Sequence, residues 1–173
     1  MESVETRLII EPIGVIRTSM KLKFDAPHQP APTSNDVCVV ELAAKRGFEQ
    51  ALRDLEGFDR IWLIWWFHKN TTWKPVVLPP RGSNRKRGVF ATRSPHRPSP
   101  IGITAVPLLG ITGRKIFVGS NDLIDGTPVL DIKPYVSAID SFPDARSGWI
   151  DCLETELAAP PSYAVRLSAI ANE

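Results

Sequence analysis

Along most of this chain the apolar residues recur at strand spacing, in short runs broken by proline and glycine. Leu8 to Thr18 alternates loosely, is rich in Ile and Val, and predicts a first strand kinked at Pro12-Ile13-Gly14. Lys21 to Asn35, with Pro27, Pro30 and Pro32, predicts an extended loop, and Asp36 to Leu42 a second strand. Ala43 to Leu55 sets Ala44, Phe48, Ala51, Leu52 and Leu55 at helical spacing, with Gly57 placed to stop the helix. Ile61 to Phe67 is apolar on both faces, as expected of a central strand buried between two layers, so its three tryptophans read as core filler rather than as a base-stacking platform. Asn70 to Asn84 reads as a loop long enough to be functional. Further strands are expected at Gly88 to Thr92, Ile101 to Leu109, Lys115 to Ser120, Thr127 to Tyr135 and Tyr163 to Ile170, with a surface excursion from Ser137 to Gly148.

Many strands, one helix, no βαβ rhythm and no GxGxxG after an early strand disfavour a doubly wound nucleotide fold. The expected fold is mainly β: a single, mostly antiparallel β-barrel with one short helix and long Pro-rich loops. Sixteen prolines also argue against a helical bundle, because an interior proline costs a helix about 3 kcal/mol. A chain of 173 residues suits one domain spanning 1–173. Cys38 and Cys152 suggest neither a disulfide framework nor a zinc site. The charged start has no signal-peptide pattern, and the longest apolar run, Ile61 to Phe67, is too short to cross a bilayer, so a soluble cytoplasmic protein is expected.

Charge changes this picture. The formal net charge is only +2, but from Ile61 to Asn121 the chain has ten Lys and Arg and no Asp or Glu. A field so divided favours a polyanionic partner such as RNA. Within that stretch, three prolines stiffen Arg93 to Gly102, a turn that offers Arg93, Ser94, His96, Arg97 and Ser99 as hydrogen-bonding groups. Arginine can grip a carboxylate or phosphate with two parallel hydrogen bonds, which lysine cannot. Downstream, Asp125-Gly126-Thr127-Pro128 signals a turn before a strand, whose alternation would set Val129, Asp131 and Lys133 on one face and Leu130 and Ile132 on the other. His28, His68 and His96 lack metal-site spacing, and neither a GxSxG elbow nor a P-loop is present.

Gly88-Val-Phe-Ala-Thr-Arg-Ser-Pro-His-Arg-Pro-Ser-Pro-Ile-Gly102 together with Asp122-Leu-Ile-Asp-Gly-Thr-Pro-Val-Leu-Asp-Ile-Lys-Pro-Tyr135 strongly resembles the TsaA-like or TrmO family. Ile13 to Arg17, His28 to Pro30, Leu55 to Phe58, Ile61 to Leu63, and Arg81 ahead of Asn84 extend the likeness over roughly 10–135. The resemblance implies a single-sheet β-barrel, usually a homodimer, that transfers a methyl group from S-adenosylmethionine to N6 of N6-threonylcarbamoyladenosine next to the anticodon of tRNA. It implies a cofactor pocket made of Gln29, Pro30, Ala31, His68, Lys69, Arg93, Asp125, Gly126 and Thr127. The proton leaving N6 would go to His68, Asp131, Tyr135 or water, and Arg81, Arg85, Lys86, Arg87 and Arg97 would meet RNA phosphates. Two departures stand out: Ser99 replaces the usual asparagine of Arg-Pro-Asn-Pro-Ile-Gly, and longer relatives carry a C-terminal domain that grips tRNA, where 137–173 reads here as an extension only. A non-catalytic module binding S-adenosylmethionine or RNA is the alternative expectation.

Overall fold

The computed structural model describes residues 8–19, 37–44, 47–80, 85–119 and 121–158. The expected loop at 21–35 and strand at 163–170 lie outside them. Six strands pair antiparallel: β1 (Gly14–Arg17), β2 (Cys38–Leu42), β3 (Arg60–Trp66), β6 (Ile101–Thr112), β7 (Lys115–Val118) and β8 (Pro128–Pro134). Their order, β1-β2-β7-β6-β3-β8, returns to its start because β8 pairs back onto β1, closing the sheet into a barrel. A two-stranded ribbon, β4 (Val76–Val77) with β5 (Arg87–Gly88), stands apart.

Inside lie Ile16, Val40, Ile61, Leu63, Val106, Ile116, Val118 and Val129, all free of solvent, with Trp65 at 7% exposure. On β3 burial alternates: Ile61, Leu63 and Trp65 face in, while Trp62 is half-buried and Trp66 is 42% exposed. Only one of the three tryptophans is therefore core, because a closed barrel has a single interior and an apolar strand must turn alternate residues outward. Trp65 lies over Gly102, its partner on β6, where a Cβ would collide with the indole ring. Its Nε1 donates to Thr104 Oγ1 at 3.2 Å.

Several expectations need correction. The helix foreseen over Ala43 to Leu55 is one turn, α1 (Phe48–Ala51), followed by a 3-10 turn at Leu55–Gly57. Gly47 and Asp54, both in the left-handed region (φ 66° and 65°), interrupt the path on either side. Two further helices, α2 (Ser137–Asp140) and α3 (Trp149–Ala158), follow the barrel. Gly88 to Thr92 is not a strand: after β5 the chain forms a 3-10 turn, Val89–Ala91. On β8 a register shift skips Leu130, since Ile64 pairs with Asp131 and Trp65 with Val129. That bulge reverses the facing of the strand, so Val129 and Ile132 both pack toward the core.

Candidate functional site

One rim of the barrel gathers the ends of β1, β3 and β7 and the starts of β6 and β8, and it carries both motifs singled out in the sequence. The 3-10 turn Val89–Ala91 is closed by Thr92, whose N–H and Oγ1 donate to the Val89 carbonyl at 3.1 and 2.9 Å. Arg97 folds back over this turn, its Nη1 donating to Thr92 O (2.7 Å) and Val89 O (3.2 Å). The remainder of the loop is bonded to the segment after β3: Phe67 N–H donates to Pro100 O (2.8 Å), Lys74 N–H to His96 O (3.2 Å) and Asn70 Nδ2 to Pro95 O (2.9 Å). The prolines fix φ, and these bonds fix the position of the loop beside His68 and Lys69. Ser99, an exposed residue, contributes its backbone carbonyl, which accepts from Ile101 N–H at 2.8 Å.

The facing loop runs from Asn121 to Thr127. Asn121, fully buried, donates to Gly119 O (3.2 Å) and accepts from Leu123 N–H (3.0 Å), turning the chain inward. Asp125 Oδ1 accepts from Thr18 N–H (3.1 Å), and Gly126, at φ 77°, donates to Ile16 O (2.9 Å). Thr127 is buried and gives its hydroxyl to Ile124 O (2.7 Å), which makes it a part of the corner's frame.

The facing loop also carries Asp122, a residue within the resembling motif that sequence reasoning passed over. Burial raises its carboxyl above the usual aspartate range, while a hydrogen bond from its own backbone and then the charge of Arg93 draw it partly back. Its Oδ1 is buried without a hydrogen-bond partner, as is Nδ1 of His96. An acceptor held out of water with no donor is costly, and such atoms cluster where a ligand completes the site. No sequence signal could have shown this, since burial depends on the tertiary structure. Arg93 itself is exposed.

Of the three proton-acceptor candidates, only His68 belongs to this rim. Burial, then the charge of Lys69, holds its imidazole below the ordinary histidine value, against a weaker opposing hydrogen bond with the Trp66 backbone. Tyr135 lies at the other end of β3: its N–H donates to Arg60 O (3.1 Å) and its ring packs on Trp62 (centroids 5.4 Å apart). The six residue steps of β3 from Arg60 to Trp66 span about 20 Å of strand. Asp131 is half-exposed, ion-paired with Lys133 at 2.8 Å, and lines a groove with Phe48, Leu52 and Pro134 toward that far end.

Arg85 and Lys86 are exposed beside the Arg93 loop. Arg87 lies over the Trp149 ring (5.1 Å), and Trp149 Nε1 donates to Ala91 O (2.8 Å), so the start of α3 braces the same turn. Gln29, Pro30, Ala31 and Arg81 lie outside the described residues. Among the described residues no group of three or more His, Cys, Asp or Glu could hold a metal ion, and no helix is long and apolar enough to cross a membrane.

Comparison with known proteins converges on one family. A family model described as the tRNA-methyltransferase O N-terminal domain matches residues 15–141. The tRNA (adenine(37)-N6)-methyltransferase of Escherichia coli is 43% identical over 146 residues, covering 80% of this chain and 62% of its own length. A putative S-adenosylmethionine-dependent methyltransferase of Pseudomonas aeruginosa is 43% identical over 92% of this chain and 68% of its own. A crystal structure of TrmO from Pseudomonas aeruginosa superposes with a TM-score of 0.69 at 37% identity, covering 83% of this chain and 62% of that one. The chain thus spans about 62% of the length of the Escherichia coli relative.

Proposed function

Because the chain belongs to the family of the tRNA-methyltransferase O N-terminal domain, we propose that it methylates tRNA with S-adenosylmethionine as donor, acting on N6 of the threonylcarbamoyladenosine beside the anticodon. The observation that carries this reading is that one barrel rim holds both the Arg93 turn and the 121–127 loop, the latter with a buried, unpartnered carboxylate oxygen of Asp122. The relatives' names support it: tRNA (adenine(37)-N6)-methyltransferase for one, S-adenosylmethionine-dependent methyltransferase for another.

The residues present fit the cofactor. S-adenosylmethionine carries a carboxylate, an ammonium and an adenine around its sulfonium. Arg93 offers a fork for the carboxylate, Asp122 an acceptor in want of a cationic or N–H donor, and the stretch from Asp125 to Thr127 a fixed corner against which the nucleoside could rest. When bound, the sulfonium supplies an electrophilic methyl group and loses its charge in the transfer. Alignment should account for most of the rate gain, and the bonds that hold the Arg93 loop to the segment after β3 supply the rigidity alignment needs. His68, its imidazole held below the ordinary histidine value, is the rim residue suited to take the proton from N6. Arg85, Lys86 and Arg87, with Arg81 and Arg97, suit the phosphates of the anticodon arm. The exposed apolar row of Trp66, Ile101 and Ile103 on the outer faces of β3 and β6 suits a homodimer, which sedimentation would detect. A tRNA substrate implies action in the cytoplasm.

Titration calorimetry with S-adenosylmethionine, followed by mass spectrometry of nucleosides from tRNA incubated with both, tests the reading. Methylated threonylcarbamoyladenosine is expected. Cofactor binding without that product would identify a binding module instead, and no binding would refute the cofactor assignment.

A further inference from the structure

Phe90 occupies an unusual position. Its neighbour Val89 is 2% exposed and anchors the 3-10 turn, yet Phe90 itself is 77% exposed. An aromatic ring left in water forfeits the stabilisation that burial would give it, and here the backbone leaves it no route inward. The turn is locked from one side by Thr92 on the Val89 carbonyl and from the other by Trp149 Nε1 on the Ala91 carbonyl. The Arg97 guanidinium sits 5.7 Å from the Phe90 ring centroid and is itself fixed by its bonds to Val89 O and Thr92 O. The ring is thus held out in solvent on a rigid turn, with a cation over it.

The surroundings select the occupant. Arg85, Lys86 and Arg93 are exposed nearby, and no acidic residue occurs between Ile61 and Asn121. A second copy of the chain meeting itself here would set these cations against their own duplicates across a two-fold axis, which opposes self-association. A single-stranded nucleic acid brings what the patch lacks: phosphates for the cations and a planar base for the ring. We propose that Phe90, backed by Arg97, is a stacking platform for an unpaired nucleobase of the tRNA anticodon loop, next to the adenosine that is methylated. This rests on the tRNA reading above and adds to it a residue that holds the loop open beside the cofactor rim.

The test uses the full chain and a threonylcarbamoylated anticodon stem-loop RNA carrying 2-aminopurine at a nucleotide adjoining the modified adenosine. Wild-type protein and Phe90→Trp should quench the fluorophore by stacking. Phe90→Leu should fail to quench and should bind the RNA about 5- to 150-fold more weakly, with S-adenosylmethionine affinity by calorimetry unchanged. Full RNA affinity and quenching in Phe90→Leu would overturn the platform. So would a change of sedimentation from dimer to monomer in that variant, which would place the ring against a second copy. If the wild-type protein neither binds nor methylates this RNA, the tRNA reading fails and takes the platform with it; wild-type turnover alongside an unaffected Phe90→Leu refutes the platform alone.

Discussion

Replacing Asp122 by asparagine should stabilise the folded chain at neutral pH while weakening the cofactor site. The reason is a carboxyl whose ionised form is disfavoured by burial. Asparagine keeps a polar atom at the Oδ1 position, so the substitution relieves the buried charge and not the missing partner. A hydrogen bond from its own backbone, and then attraction to Arg93, offset part of the cost of the charge; Arg93 is exposed, and a screened attraction of this kind contributes about 0–1 kcal/mol. Loss of the buried charge should therefore raise the Tm of Asp122→Asn at neutral pH, by about 2–4 °C for each kcal/mol regained in a chain of this size. The pH dependence has a definite sign. A carboxyl raised above its ordinary value in the native state binds its proton more tightly when folded, so the stability it confers is complete below the ordinary aspartate pKa and is lost as pH rises through the native value. The advantage of the variant should therefore be absent in acid and grow between those two values. Calorimetric melting of both proteins from acid to neutral pH, paired with S-adenosylmethionine titration, measures it. A variant that melts at or below the wild-type temperature at neutral pH, or that binds the cofactor undiminished, refutes the assignment of Asp122 to the ligand-facing wall.

Other substitutions probe the remaining parts. Gly102→Ala would drive a methyl group into the Trp65 ring and should cost about 1–3 kcal/mol in urea unfolding. His68→Asn should lower turnover by about 10²- to 10⁴-fold, whereas Asp131→Asn and Tyr135→Phe, both away from the rim, should leave turnover intact. Since the His68 imidazole is held below its usual value, wild-type turnover should persist on acidification past the ordinary histidine range and fall only below it, a limb that His68→Asn should lack. Joint charge reversal of Arg85 and Lys86 should flatten the salt dependence of tRNA binding by up to about two in logarithmic slope, with cofactor affinity by calorimetry unchanged.

The apolar runs that became β2, β3 and β7, and the proline-braced turn between two such runs, were legible as strands and a rigid loop because run length, β-rich composition and fixed φ are local properties. The segregation of charge into 61–121 was equally plain, since it needs only counting. Closure was not local. Whether Trp62 and Trp66 face in or out depends on the sheet joining β8 to β1, which leaves one interior and turns half of each strand outward. Likewise the facing of Asp131 and Ile132 was reversed by a bulge at Leu130 that is defined only against β3. The turns around α1 defeated the helical pattern of Ala43 to Leu55 because packing at the barrel's end outweighs a weak propensity. At the site, residue types could name Arg93 and Asp125, but only the tertiary structure shut Asp122 Oδ1 away from water and left Phe90 within it. Burial is set by what comes to lie against a side chain, and for both residues those neighbours are brought there by the fold.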